Sequence, residues 1–221
     1  MKKILATTLL FITTLFYAQL AKNVGDFTKV TAFDKIEIIL IQSADNKVIV
    51  SGNDAESVQF VNKNGELKIR MPIDKILSGE NISVQVFFKK LTAIEANEGS
   101  RIASESIIKS VGFDIIAKEG ASIEVSIDTK KLNSKISSGA IIDIKGTAKN
   151  HESLVNSGGI QNAASLISEQ TTITVNAGGE AEIYATEYVN VKVRAGGNIR
   201  IFGKPKQIDQ KIILGGTIVE K

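Results

Sequence analysis

Ser134-Lys135-Ile136-Ser137-Ser138-Gly139-Ala140-Ile141-Ile142-Asp143-Ile144 decides the fold. Counted from Gly139, the odd offsets carry Ser134, Ile136, Ile142 and Ile144, and most even offsets are polar. That period of two marks two strands, each with one buried face, meeting at a glycine.

The same head recurs down the second half of the chain. Glu98-Gly99-Ser100, Glu119-Gly120-Ala121, Ser138-Gly139-Ala140, Ser157-Gly158-Gly159, Ala177-Gly178-Gly179, Ala195-Gly196-Gly197 and Leu214-Gly215-Gly216 follow one another at 21, 19, 19, 20, 18 and 19 residues. Three before each glycine stand Ala96, Ala117, Ile136, Val155, Val175, Val193 and Ile212, all apolar. Three after stand Ile102, Ile123, Ile142, Gln161, Ala181, Ile199 and Ile218. A period of about 19 identifies a solenoid. Each coil is strand, glycine corner, strand, then a connection, and stacked coils bury columns of Ile and Val.

The expected fold is all-β, a single-stranded parallel β-helix, right-handed by the general crossover rule. The structural corner glycines are Gly99, Gly120, Gly139, Gly158, Gly178, Gly196 and Gly215. A hexapeptide left-handed helix is excluded because its apolar mark would come three times per turn.

Upstream, residues 33–91 alternate as strands with turn signals between them. Ile36, Ile38 and Leu40 share a face, Val48 and Val50 resume it, and Asn64-Gly65 is a two-residue hairpin signal before Leu67, Ile69 and Met71. This region is expected to form an N-terminal β-hairpin cap, 33–91, on coils running from 92 to 221. Residues 19–32 are an N-terminal extension. Residues 1–18 form a signal peptide: Lys2 and Lys3, then an uncharged run from Ile4 to Tyr17, then Ala18-Gln19. That run is shorter than the ~20 residues a spanning helix needs. Without it the basic count falls from 27 to 25 against 24 acids, so the mature chain is almost neutral, with no later membrane span and no nucleic-acid footprint. The expected location is secreted, in the periplasm or on the surface of a Gram-negative cell.

Composition removes several chemistries. There is no Cys, hence no disulfide, thiolate metal site or cysteine nucleophile, and the single His rules out a multi-histidine metal centre. No cofactor or metal is called for. His151, seven before Gly158, falls in a column with Phe113, Leu132 and Val189, a core-edge position and not a triad member. Four after the glycines comes an outward column of Glu124, Asp143, Asn162, Glu182 and Arg200. Carboxylates on adjacent coils, ~5 Å apart, suit acid–nucleophile work or Ca²⁺; the competing reading is a solvated face relieved by nearby lysines. Tyr184 and Phe202 share the offset six after consecutive glycines, an aromatic pair fitted to stack on a sugar or a protein. The binding candidates are therefore Glu124, Asp143, Glu182, Tyr184 and Phe202.

Phe33-Asp34-Lys35-Ile36-Glu37-Ile38, Leu91-Thr92-Ala93-Ile94-Glu95-Ala96, the serial small-Gly-small heads and the closing Ile201-Phe202-Gly203-Lys204-Pro205-Lys206 with Gly215-Gly216-Thr217-Ile218 resemble the head GIN domain family of auto-transporter adhesins. The likeness covers residues 33–221. It implies a secreted bacterial β-helical adhesion domain with no catalytic residues to carry over. Family heads often read Ser-Gly-Ser-Gly, where this chain has Ser-Gly-Gly or Ala-Gly-Gly. No translocating barrel follows Lys221, so self-export is not expected.

The expected function is a secreted noncatalytic binding module presenting its surface to a glycan or cell-surface protein. The alternatives are a polysaccharide-active β-helix enzyme and an envelope structural or assembly protein. The last coil, with Leu214 and Phe202 near its edge, is the expected contact of a homo-oligomer.

Overall fold

The computed structural model describes residues 20–221, and the signal peptide expected over 1–18 lies outside them. Seventeen strands follow in order: Leu20–Asn23 (β1), Lys29–Ala32 (β2), Glu37–Gln42 (β3), Lys47–Gly52 (β4), Gln59–Lys63 (β5), Glu66–Arg70 (β6), Ile82–Phe88 (β7), Ala93–Ala96 (β8), Arg101–Ser104 (β9), Ile108–Ala117 (β10), Ser122–Ile136 (β11), Ile141–Val155 (β12), Ile160–Val175 (β13), Glu180–Ala195 (β14), Asn198–Phe202 (β15), Gln207–Leu214 (β16) and Thr217–Glu220 (β17). From β8 onward the pairing is parallel and one coil deep, as in Ile123 opposite Ile142 and Ile136 opposite Val155. The chain is a β-solenoid of about 19-residue turns.

The corners are tighter than a single glycine bend. Ser138 and Gly139 both have positive φ, 55° and 71°, and the Ala140 amide donates to the Ser137 carbonyl at 3.2 Å, which closes a type I′ turn. Glu98-Gly99, Glu119-Gly120, Ser157-Gly158 and Ala177-Gly178 repeat it. A Cβ built on Gly139 meets nothing within 4 Å, so φ, and not space, demands the glycine. The turns bond to one another, each glycine amide reaching the carbonyl that precedes the next glycine, as in Gly120 to Ser138 at 3.0 Å. In the last two coils the positive-φ pair moves one residue on, to Gly196-Gly197 and Gly215-Gly216.

Opposite the corners, β11 to β14 each run unbroken for 15 or 16 residues round a bend, so the connection expected there is continuous strand. Irregular glycine spacing is absorbed by bulges on this side. The register slips between Asp143 and Lys145, and again between Ala163 and Ile167. Inside, Ile136, Val155, Val175 and Val193 form one fully buried column, and Ile123, Ile142 and Ile199 another.

The N-terminal region departs from a simple cap. β2 lies between β6 and β8, and β3 between β7 and β9, all parallel, so residues 29–42 are a full coil inside the stack. The boundary expected at residue 33 is therefore not a structural one, and β1 and β2 within the expected extension belong to the sheet. The reason is chemical: the corner of this coil, Asp34-Lys35, takes φ of 61° and 62° without a glycine, so alignment on glycine passes over it. The cap consists of antiparallel strands: β4 on β7, β1 on β4, and β5 on β6 through Asn64-Gly65. At the other end Gln210 and Glu220 stand in register with buried Val191 and Ile201, which puts polar groups at two inward positions of the last coil.

Candidate binding face

The outward column expected after the corners is real. Glu124, Asp143, Asn162, Glu182 and Arg200 are successive partners across β11, β12, β13, β14 and β15. Each carboxylate has a partner of its own. Glu124 meets Arg101 at 3.2 Å and Lys145 at 3.9 Å, and the Asn162 amide donates to Asp143 at 2.8 Å. Glu182 receives both Nε and Nη2 of Arg200, at 2.9 and 2.8 Å, on one oxygen. Glu124 lies three coils from Glu182, roughly 14 Å at the ordinary strand spacing, so the two do not share a site. Among the described residues no three His, Asp or Glu side chains gather as a metal would require.

Tyr184 and Phe202 are direct partners on β14 and β15, two residues along from the Glu182–Arg200 pair and on the same outward side. The Tyr184 ring lies on the backbone of Gly203, where a Cβ would sit 2.6 Å from Cε1. Only glycine permits that seat, which holds the ring down along the face. The structure adds a residue that the sequence pattern misses. Ile167 is the partner of Tyr184 on the neighbouring coil and is half exposed. The three-residue slip between Ala163 and Ile167 moves it out of the offset that Tyr184 occupies; the 20-residue interval from Gly158 to Gly178 is its only trace in the sequence. Tyr188 lies beyond, its phenol donating to Asp209 at 2.8 Å, a bond that pushes its pKa up.

His151 is buried, in the column of Phe113, Leu132 and Thr171. Its Nε2 lies 2.9 Å from Ser134 Oγ, and the Ser134 and Ser153 hydroxyls both donate to Gln161 Oε1, at 2.8 and 2.6 Å. Because the Ser134 proton goes to Gln161, the imidazole is the donor to Ser134. Desolvation lowers its pKa to about 4. A serine beside a histidine is present, but inside the core, and among the described residues no carboxylate bonds to the ring.

What the geometry defines is a stiff solenoid bearing a stripe of Ile167, Tyr184 and Phe202 edged by hydrogen-bonding side chains. Residues 26–205 match the family described as "Putative auto-transporter adhesin, head GIN domain", and the chain belongs to that family. It is similar to the solved structure of a putative adhesin from Bacteroides fragilis, 20% identical, with 92% of this chain and 96% of that one covered and a TM-score of 0.83. A putative adhesin from Parabacteroides distasonis is 23% identical over 92% of this chain and 96% of its own, at TM-score 0.75. A putative lipid binding protein from the same organism is 15% identical over the same shares, at 0.69. At these identities the likeness is one of fold. No curated protein matches the chain. Among the described residues no helix is long and apolar enough to cross a membrane.

Proposed function

We propose that this chain is a noncatalytic adhesion module of the cell exterior, and that it meets a glycan on the face formed by Ile167, Tyr184 and Phe202. The observation that carries the reading is the registered apolar stripe. Three such side chains on adjacent coils form a platform for the C–H face of a sugar ring. Asp143, Asn162, Glu182 and Arg200, one column over, supply the donors and acceptors that fix its hydroxyls. The pairing of every carboxylate in that column with a cation or an amide holds these groups in fixed positions, which suits them to recognise a ligand's hydroxyls.

The test is a screen of purified protein against neutral and acidic oligosaccharides. Tyr184→Ala combined with Phe202→Ala should abolish retention while leaving the β-solenoid folded by circular dichroism, and Glu124→Gln should bind as the parent does. Depolymerisation of a polysaccharide, lost in Glu124→Gln or Asp143→Asn, would favour the enzyme reading. Capture of an endogenous envelope protein without any glycan would favour an assembly role.

A further inference from the structure

At the opposite end of the stack, the coil made by β6 and β7 has no two-residue corner. In its place the chain makes a ten-residue excursion, 72–81, and this excursion is pinned. The buried Asp34 carboxylate accepts the Met71 amide at 2.9 Å and the Leu77 amide at 3.0 Å, and its carbonyl accepts the Gly79 amide at 3.0 Å. Lys75 Nζ reaches Asp54 at 2.8 Å and Ser57 at 3.1 Å. A Cβ on Gly79 would stand 2.5 Å from the Asp34 carbonyl oxygen, so the excursion is held tight against its neighbour. Within this fixed frame Ile73 is 87% exposed and Ile76 54%.

Beside the excursion runs a groove of about 470 Å³ lined by Phe33, Met71, Ile73 and Ile76, by Gln59, Lys68 and Arg70, and by the carboxylates Asp34 and Glu98. That volume lies within the range of small-molecule sites, roughly 300–1,000 Å³. Lys68 and Arg70 alternate on β6 and so project from the same side of the sheet. Lys68 meets Glu66 at 3.6 Å, whereas among the described residues Arg70 forms no ion pair. Of the two carboxylates, Asp34 accepts the Met71 and Leu77 amides, and desolvation together with the Asp34 and Glu119 charges pushes the Glu98 carboxyl up.

From the exposed Ile73 and Ile76 standing in one groove with Lys68 and Arg70 we infer that the groove binds a single-chain anionic amphiphile, an alkyl carboxylate, with its head at Arg70 and Lys68 and its chain along Ile73 and Ile76. The site is separate from the aromatic stripe, and neither proposal depends on the other.

Calorimetric titration of the full chain with sodium dodecanoate, below its micelle concentration, tests the assignment. Saturable one-to-one binding is expected, at least about tenfold weaker for hexanoate, which lacks the chain, and for dodecyltrimethylammonium, which reverses the head charge. Arg70→Ala and Ile76→Ser should each weaken dodecanoate by about tenfold, and Arg194→Ala should not. If Ile76→Ser proves unstable, the more exposed Ile73→Ser carries the same test. No saturable heat, equal binding of the cationic surfactant, or indifference to Arg70→Ala and Ile73→Ser would overturn the proposal. So would binding of an acidic aliphatic peptide, or sedimentation with phosphatidylglycerol vesicles, by protein that ignores dodecanoate.

Discussion

Lowering the pH from 7.5 to 5 should destabilise this protein through His151 alone by about 2 kcal/mol. The imidazole is only 2% exposed, and burial takes its pKa from an ordinary 6.5 to about 4. A folded-state value below the unfolded one means that the unfolded chain takes up the proton first. The stability tied to the neutral ring is therefore complete above about pH 6.5, falls as the pH drops toward 4, and levels off below. Two and a half units correspond to a ceiling of roughly 3.4 kcal/mol, of which about 2 is spent by pH 5. Other groups act differently. Glu66 and Glu95 are held below the ordinary carboxylate range, partial burial opposing and bonds from Thr31, Lys29 and Lys118 outweighing it, so they titrate beneath this window. Glu98, pushed up by desolvation and then by Asp34 and Glu119, contributes with the opposite sign. Both effects persist in His151→Leu, which places at 151 the residue found at its in-register partner, 132. Urea unfolding of both proteins at the two pH values isolates the histidine as a difference of differences. If the parent loses no more stability than His151→Leu, the ring is not the buried neutral group described above.

Gly139→Val should cost about 1–3 kcal/mol from backbone strain alone, because its φ is 71° and its Cβ would meet no neighbour, while Ser137→Ala should be silent; equal melting temperatures for parent and Gly139→Val would refute the turn assignment. Ile142→Ala should cost about 2–4 kcal/mol by lost burial and cavity formation. Asp143→Ala, outward, gives up one hydrogen bond to Asn162 and should cost about 1 kcal/mol or less, so similar losses at 142 and 143 in chemical denaturation would contradict the alternation. Light scattering at high micromolar concentration should detect self-association through β16, where Leu214 is 71% exposed beside Ile212 and Ile213, and Leu214→Asp should abolish it. A parent that stays monomeric refutes this contact.

The coils from Ala93 onward were legible because each carries two independent marks: a residue type that the positive φ demands at the corner, and apolar parity on both sides of it. Where one mark is missing the reading fails. Asp34-Lys35 turns without glycine, since the Asp34 carboxylate, tied to the Met71 and Leu77 amides, helps hold a conformation that side chains ordinarily avoid. Sequence order misleads there as well. β2 sits between β6 and β8, an interposition that local patterns do not encode, because parity tells a strand which face is inward and not which strand lies beside it.

The candidate binding face is less legible for a related reason. In this fold the corner turns and inward columns absorb nearly all the constraint, so an outward residue is fixed by register alone. Tyr184 and Phe202 share an offset from their glycines because no slip separates β14 from β15, whereas the slip beside Ile167 takes it off that offset. The same freedom explains how one solenoid can carry both an aromatic stripe near Phe202 and an apolar groove near Ile73. A residue facing outward costs the core nothing when it changes, and a bulge on the side away from the corners re-aims side chains such as Ile167 without disturbing the turns that hold the stack.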